Sequence, residues 1–177
     1  MTSDREGVNH KTKVNLLSYV ETTIDQPAEK LWPFILHWHL WVDEKDYVEH
    51  RVSGNPDTEG EIKRITHFDE TGRMDSCFFV EIVKIEPCKQ LIYKILSPSY
   101  EYDATTGASS ESPFSGYEVF DIHEKGGKTV LTLNIVAEWR LGGITEEEAK
   151  RLSCEYRANM QKNWNENYFP KLKSLVS

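Results

Sequence analysis

Residues 142–177 read GGITEEEAKRLSCEYRANMQKNWNENYFPKLKSLVS, and the fold turns on how this stretch is read. Thr145-Glu146-Glu147-Glu148 has the form of a capping box, in which the Thr hydroxyl accepts from the N–H of Glu148 and that carboxylate reaches back to the N–H of Thr145. The three glutamates also complement the positive end of a helix dipole, so they read as a capping device rather than a cation site. Beyond them Leu152, Tyr156, Met160, Trp164, Tyr168, Leu172 and Leu175 recur at three- or four-residue steps. That spacing predicts one long amphipathic helix. Almost everything between Tyr47 and Leu141 reads as strands. A long helix that closes an antiparallel run must lay its apolar face on the sheet, and the two can enclose a cavity.

Working back from that helix, strands are expected at 47–52, 61–68, 73–85, 90–96, 116–123 and 129–141. Short polar turns such as Gly54-Asn55-Pro56-Asp57, Asp69-Glu70-Thr71-Gly72 and Lys125-Gly126-Gly127-Lys128 separate most of them. Connections this short force antiparallel neighbours, because a parallel crossover needs about a dozen residues or more. The last strand alternates cleanly, with Leu131, Leu133, Ile135, Ala137 and Trp139 on one face. In the strand at 116–123 two sets compete, Tyr117, Val119 and Asp121 against Glu118, Phe120 and Ile122, and alternation does not choose between them. Residues 97–113 are rich in Ser, Thr, Gly and acidic side chains, which fits either a plain hairpin excursion or a mobile cover over a site.

At the other end, Met1 to Lys13 is polar and aperiodic, and residues 1–13 are expected to fray. Val14, Leu16, Val20 and Ile24 share one face of a first strand. Asp25-Gln26-Pro27 is a helix-start signal with Asp as the cap, and a short helix over 28–36 presents Leu31, Trp32 and Ile35. A second short helix or turn follows within 37–46. The expectation is a single α+β domain over 14–177: about seven curved antiparallel strands wrapped around the C-terminal helix, with two short helices after the first strand.

Composition bounds the function. The chain has 177 residues, 38% hydrophobic and 28% charged, enough to bury a sizeable core. A net charge of −8 argues against nucleic acid, which needs Lys and Arg to neutralise phosphates, and against anionic lipid surfaces. Three cysteines without CxxC spacing, and no signal-peptide pattern, lead us to expect a cytoplasmic protein with reduced thiols. No apolar run approaches the roughly 20 residues that span a bilayer. Gly126-Gly127-Lys128 lacks phosphate-loop spacing and reads as a turn, and no cofactor motif is found. His37-Trp38-His39 brings two histidines together without further ligands nearby, so no metal is expected. His50, His67 and His123 lie on separate strands and nominate no base. Cys77 and Cys88 have no partner histidine in sequence, and Glu138 with Arg140 reads as a surface ion pair.

The order of elements and several local patterns resemble the SRPBCC superfamily, the START-related and birch-pollen-allergen-like helix-grip proteins. The matching pieces are Ile24-Asp25-Gln26-Pro27-Ala28-Glu29-Lys30-Leu31-Trp32, Gly60-Glu61-Ile62, Val83-Lys84-Ile85-Glu86-Pro87 with Leu91-Ile92-Tyr93, Gly127-Lys128-Thr129, and Trp164 through Leu175. The chain is similar above all to the polyketide cyclase/dehydrase and lipid-transport-like group. That resemblance implies a deep hydrophobic cavity between sheet and long helix, but no single activity.

On a helical wheel that starts at Ala149, Leu152, Tyr156 and Met160 fall within about 60° of zero, while Trp164, Tyr168 and Leu172 drift to about 60–140°. Asn163 and Asn167 then continue the first face, where two amides are placed to fix the polar end of an apolar ligand. A kink at Pro170 would instead leave them in solvent. The expected ligand set is Phe78, Tyr93, Trp139, Tyr156, Met160, Asn163 and Asn167. The leading expectation is a non-catalytic carrier or sensor of a hydrophobic small molecule such as a lipid, isoprenoid or polyketide. The alternatives are a cyclase/aromatase-type enzyme with the same cavity, its catalytic residues unknown, and a protein-interaction module of the Hsp90 co-factor type. Oligomeric state stays open.

Overall fold

The computed structural model describes residues 11–42, 47–103, 108–112 and 114–177. In chain order it forms β1 (Lys11–Ile24), α1 (Ala28–Leu36), α2 (His39–Val42), β2 (Tyr47–Ser53), β3 (Ile62–Phe68), β4 (Met74–Glu86) and β5 (Gln90–Asp103). Then follow β6 (Ala108–Ser112), β7 (Phe114–Lys125), β8 (Lys128–Gly142), α3 (Glu146–Asn163), a π turn at Trp164–Tyr168 and α4 (Phe169–Leu175). The strands make one antiparallel sheet in the order β1-β8-β7-β5-β4-β3-β2, with β6 paired to β5 off this path. This is the helix-grip fold, an open curved sheet holding a C-terminal helix.

Two boundaries differ from the sequence reading. β1 begins at Lys11, opposite Gly142, so Lys11 to Lys13 belong to the sheet; the first ten residues lie outside those described. An eighth strand also appears, because β5 continues past Leu96 and pairs with β6 from Ser99 opposite Ser112 to Asp103 opposite Ala108. Of the two readings of 97–113, the backbone follows the hairpin excursion. Residues 104–107 and 113 fall outside the described set.

The curvature has identifiable causes. Register shifts interrupt the β2–β3 pairing between Arg51 and Ser53, the β3–β4 pairing between His67 and Phe68, and the β4–β5 pairing twice, between Cys77 and Phe79 and between Ile82 and Lys84. Each extra residue bends its strand and increases the twist. Gly116 allows another close approach: a Cβ there would lie 2.4 Å from the Cα of Ala137, opposite it on β8.

The core lies on the concave face. Val14, Leu16, Val20 and Ile24 of β1 are buried together with Leu131, Leu133, Ile135 and Ala137 of β8, as alternation predicts, while Val136 points outward. The ambiguous strand resolves in favour of the even set: Phe120 and Ile122 are buried, and so is Glu118, while Tyr117 is exposed. α1 buries Leu31 and Ile35, with Trp32 half-buried. Its cap is not Asp25. Pro27 occupies the N-cap without a side-chain bond, and the N–H of Ala28 instead donates to Glu124 Oε1 from the end of β7 at 2.9 Å. A carboxylate from a distant strand does the work expected of a local one.

α3 begins with the capping box, Glu148 N to Thr145 Oγ1 at 3.2 Å and Thr145 N to Glu148 Oε2 at 2.8 Å. It runs against β1, where Gln161 Nε2 donates to the carbonyl of Tyr19 at 3.3 Å. Ala149 is its one buried residue; Leu152, Tyr156 and Met160 pack on the core but stay partly accessible. The helix then widens. Phe169 N–H bonds to the carbonyl of Trp164, five residues back. Pro170, next in line, has no N–H to give and would press its ring on the carbonyl of Glu166 in a regular α-helix. The break expected at Pro170 is therefore taken up as a π turn rather than a sharp kink. Trp164, fully buried, enters a cluster with Trp38, Trp41, Phe120, Tyr168 and Phe169, ring centroids 5.2–6.3 Å away. That cluster pins the end of the helix to α2 and β7.

Candidate functional site

Beside this aromatic plug the concave face carries charge. α2 is one turn long, and its first residue, His39, points inward and is 2% exposed. Trp38 lies against its ring at 4.2 Å, and Phe78 of β4 and Tyr93 of β5 meet it edge-on at 5.5 and 5.4 Å. Two carboxylates flank the imidazole: Nδ1 stands 3.8 Å from Glu49 Oε1 on β2, and Nε2 stands 3.7 Å from Glu118 Oε2 on β7. All four of these atoms are enclosed and make no hydrogen bond.

Glu49 is also the hub of an outer ring of charges. Its Oε2 lies 3.0 Å from His37 Nδ1 and 3.4 Å from Lys63 Nζ. Lys63, buried on β3, reaches Asp57 at 3.4 Å and Glu61 at 3.9 Å as well. The sheet places these groups together because the inward positions of β2 and β3 alternate Tyr47 and Glu49 with Lys63, Ile65 and His67.

Electrostatics follows from the geometry. Burial disfavours the charged forms of both His39 and Glu49. For His39, Glu118 and Glu49 more than offset burial, and its pKa is raised above 6.5. For Glu49, the hydrogen bond of His37, the neighbouring His39 imidazole and the charge of Lys63 win against burial and hold its carboxyl well below the usual carboxylate range. Tyr93 is buried and surrounded by carboxylates, so its hydroxyl titrates well above the ordinary value; it donates to the carbonyl of Leu36 at 2.6 Å. Tyr156 is raised first by burial and then by the charge of Glu118. Among the described residues no group of three or more His, Cys, Asp and Glu side chains is arranged to hold a metal ion.

Of the seven residues singled out from sequence, Tyr93 is fully buried and Phe78 half-buried beside His39. Trp139, Tyr156 and Met160 are half-buried and pack on the core; the Trp139 Nε1 is enclosed and unbonded. Asn163 is half-buried, whereas Asn167 is exposed. The π turn explains the difference: it takes up an extra residue, so the downstream helix is rotated by roughly 100° from the regular wheel, bringing Phe169, Leu172 and Val176 inward. Elsewhere, His50 and His123 are exposed, and His67 is buried with its ring 5.5 Å from Tyr47. Arg140 pairs with Glu138 at 2.6 Å on the surface, as expected.

Sequence reasoning missed His39, Glu49, Lys63 and Glu118 as a group. They come from four elements, and a carboxylate on an amphipathic strand ordinarily marks the wet face. The available signal was Glu118 itself, which shares its parity with Phe120 and Ile122. A cleft of about 580 Å³ near the β4–β5 turn, lined in part by Glu86, Cys88, Asp121, His123 and Glu124, is open to solvent. Two of its acids are already committed, Asp121 to Gln90 at 2.6 Å and Glu124 to the α1 cap.

No protein-family model and no curated protein sequence matches the chain. Solved structures do. A protein from Arthrobacter aurescens is similar with a TM-score of 0.59 at 12% identity, over 91% of this chain and 86% of that one. A protein from Rhizobium leguminosarum matches at 0.57 and 11%, over 94% and 97%. Ara h 8.0201 matches at 0.57 and 13%, over 92% and 97%. At these identities the likeness is one of fold alone, the helix-grip fold described above.

Proposed function

We propose that this protein binds a hydrophobic small molecule, such as a lipid, isoprenoid or polyketide, between the concave sheet and α3. The observation that carries the reading is the state of α3. Its apolar stripe of Leu152, Tyr156 and Met160 faces the core yet stays partly accessible, although burying such side chains fully stabilises a protein by about 1.5–3 kcal/mol each. A helix gripped by a sheet but not sealed on it leaves apolar surface for a ligand. Phe78, Tyr93, Trp139, Tyr156 and Met160 supply the apolar walls and Asn163 the amide; Asn167, exposed, keeps a place in the set only if the ligand extends to the mouth. Saturable fluorescence enhancement of the neutral dye Nile red tests the reading, with native mass spectrometry of freshly purified protein to weigh the natural ligand. Met160→Trp, which fills the space, should abolish dye binding without lowering the melting temperature. Dye binding that never saturates, or that survives this substitution unchanged, refutes it.

A second reading has its own support. His39 with Glu118 is an acid–base pair enclosed beside the same walls, which is the equipment a cyclase/aromatase-type enzyme needs to move protons on a bound polyketone.

A further inference from the structure

The one-turn helix α2 has a single polar link to the sheet. Hydrogen bonds donated by residues 38–42 all end on residues 34–38, so among the described residues none of them crosses to a strand. Trp38 and Trp41 meet the rest of the core through ring contacts with Phe120 and Trp164. The link is His39, whose Nδ1 faces Glu49 on the edge strand β2 and whose Nε2 faces Glu118 on β7, inside the sheet. Tyr93 of β5 and Phe78 of β4 meet its ring edge-on. Behind Glu49 stand His37 and Lys63 and, through Lys63, Asp57 and Glu61. This placement selects a protonation state. A neutral imidazole has one N–H and one lone pair, whereas the imidazolium has two N–H groups. With a carboxylate on each side, either neutral tautomer turns its lone pair on an enclosed, unbonded carboxylate oxygen. Only the cation offers a donor to both. A buried acceptor without a donor is costly, and lifting α2 to admit water relieves it.

We propose that His39 is a proton-operated clasp on the ligand site: with two N–H groups it holds α2 down on β2 and β7, and on losing one it releases α2 and uncovers Phe78 and Tyr93. This rests on the ligand-binding reading above, in which those two rings are walls. The step is a proton transfer from the imidazolium to hydroxide or buffer base, and no other covalent bond changes. Its direction agrees with the titration of the group. Burial lowers the pKa of His39, and Glu118 and Glu49 more than restore it, to above 6.5. The clasp is therefore closed below 6.5 and lost as pH rises through the folded value. The site holds its ligand on the acid side of that step and exchanges it on the alkaline side.

Ring-nitrogen NMR shifts of the full wild-type chain read the clasp directly. At about pH 6 His39 should carry a proton on both nitrogens, and a neutral ring there overturns the proposal. Amide exchange reads α2. As His39 titrates, the protection of Leu40, Trp41 and Val42, corrected for the intrinsic pH dependence of exchange, should fall roughly tenfold or more. It should also lie below that of the β1–β8 ladder at every pH, which marks the opening as local. In His39→Gln the same amides should be weakly protected and flat with pH. Protection that stays constant as His39 titrates, or α2 amides that open only together with the ladder, overturn the proposal. For the ligand, the dissociation rate of Nile red should rise about tenfold across the same step in wild type and not in the variant; a flat rate in wild type overturns the gating. If the dye never saturates, the binding reading falls, and the ring shifts and α2 exchange still decide whether the clasp exists.

Discussion

Replacing Glu49 by glutamine removes one negative charge and almost no volume from the hub of the buried network. The loss follows from the partners left behind. His39 keeps Glu118, and Lys63 keeps Asp57 and Glu61, so neither cation is stranded completely. His37, whose ring is 38% exposed, turns to water at little cost. That places Glu49→Gln at the lower end of the range for breaking a buried pair, about 3 kcal/mol. In a chain of this size it is a fall of roughly 6–12 °C in melting temperature. The pH dependence is more diagnostic. The folded pKa of Glu49 lies below its ordinary 4.5, so its contribution is present above that value and is lost as pH falls through the folded pKa. The folded pKa of His39 lies above its ordinary 6.5, so its contribution is full below 6.5 and is lost as pH rises through the folded value. The gap between wild type and variant should therefore be widest between 4.5 and 6.5 and should shrink under acid. Thermal melts followed by circular dichroism across that range measure it. A gap under about 2 °C at its widest, or one that does not narrow between about pH 5 and pH 3, would sink the account.

Trp164→Ala removes a fully buried ring that touches five other aromatic side chains, and should cost about 3–5 kcal/mol, seen as an earlier denaturant midpoint; a midpoint unchanged from wild type would show that the helix end is held by something else. Gly116→Ala sets a methyl group 2.4 Å from the β8 backbone, which cannot yield as a flexible side chain does, and should destabilise by about 1–3 kcal/mol or more. Amide exchange ought to show that loss as faster opening along the β7–β8 ladder, and equal protection in both proteins would contradict it.

The strands were legible because their turns are short and polar and because β8 alternates without interruption. The start of α3 was legible because a capping box is local: both partners lie within four residues. What escaped has a common cause, which is that its determinants are distant in sequence. The N–H of Ala28 is capped by Glu124, ninety-six positions away, so Asp25 only looked like the cap. Glu118 is inward because His39 and the curvature of the sheet accept it there, and alternation alone assigns a carboxylate to water. Asn167 is exposed because the wheel's constant 100° step does not hold through residues where Pro170 forbids a regular helix.

The π turn gives the C-terminal helix two phases. Residues 146–163 are indexed to β1, and residues 169–176 to the aromatic plug, with the five between them acting as a gear that joins two teeth counts. Deleting a single residue there would restore a regular α-helix without turning the downstream side chains, whereas straightening the turn with every residue kept would rotate each of them by about 100°. Leu172 and Val176 would leave the core while Leu152, Tyr156 and Met160 stayed in place. The two ends of the interior are thus adjustable separately: the wall facing the ligand can vary in one frame while the anchor keeps its own.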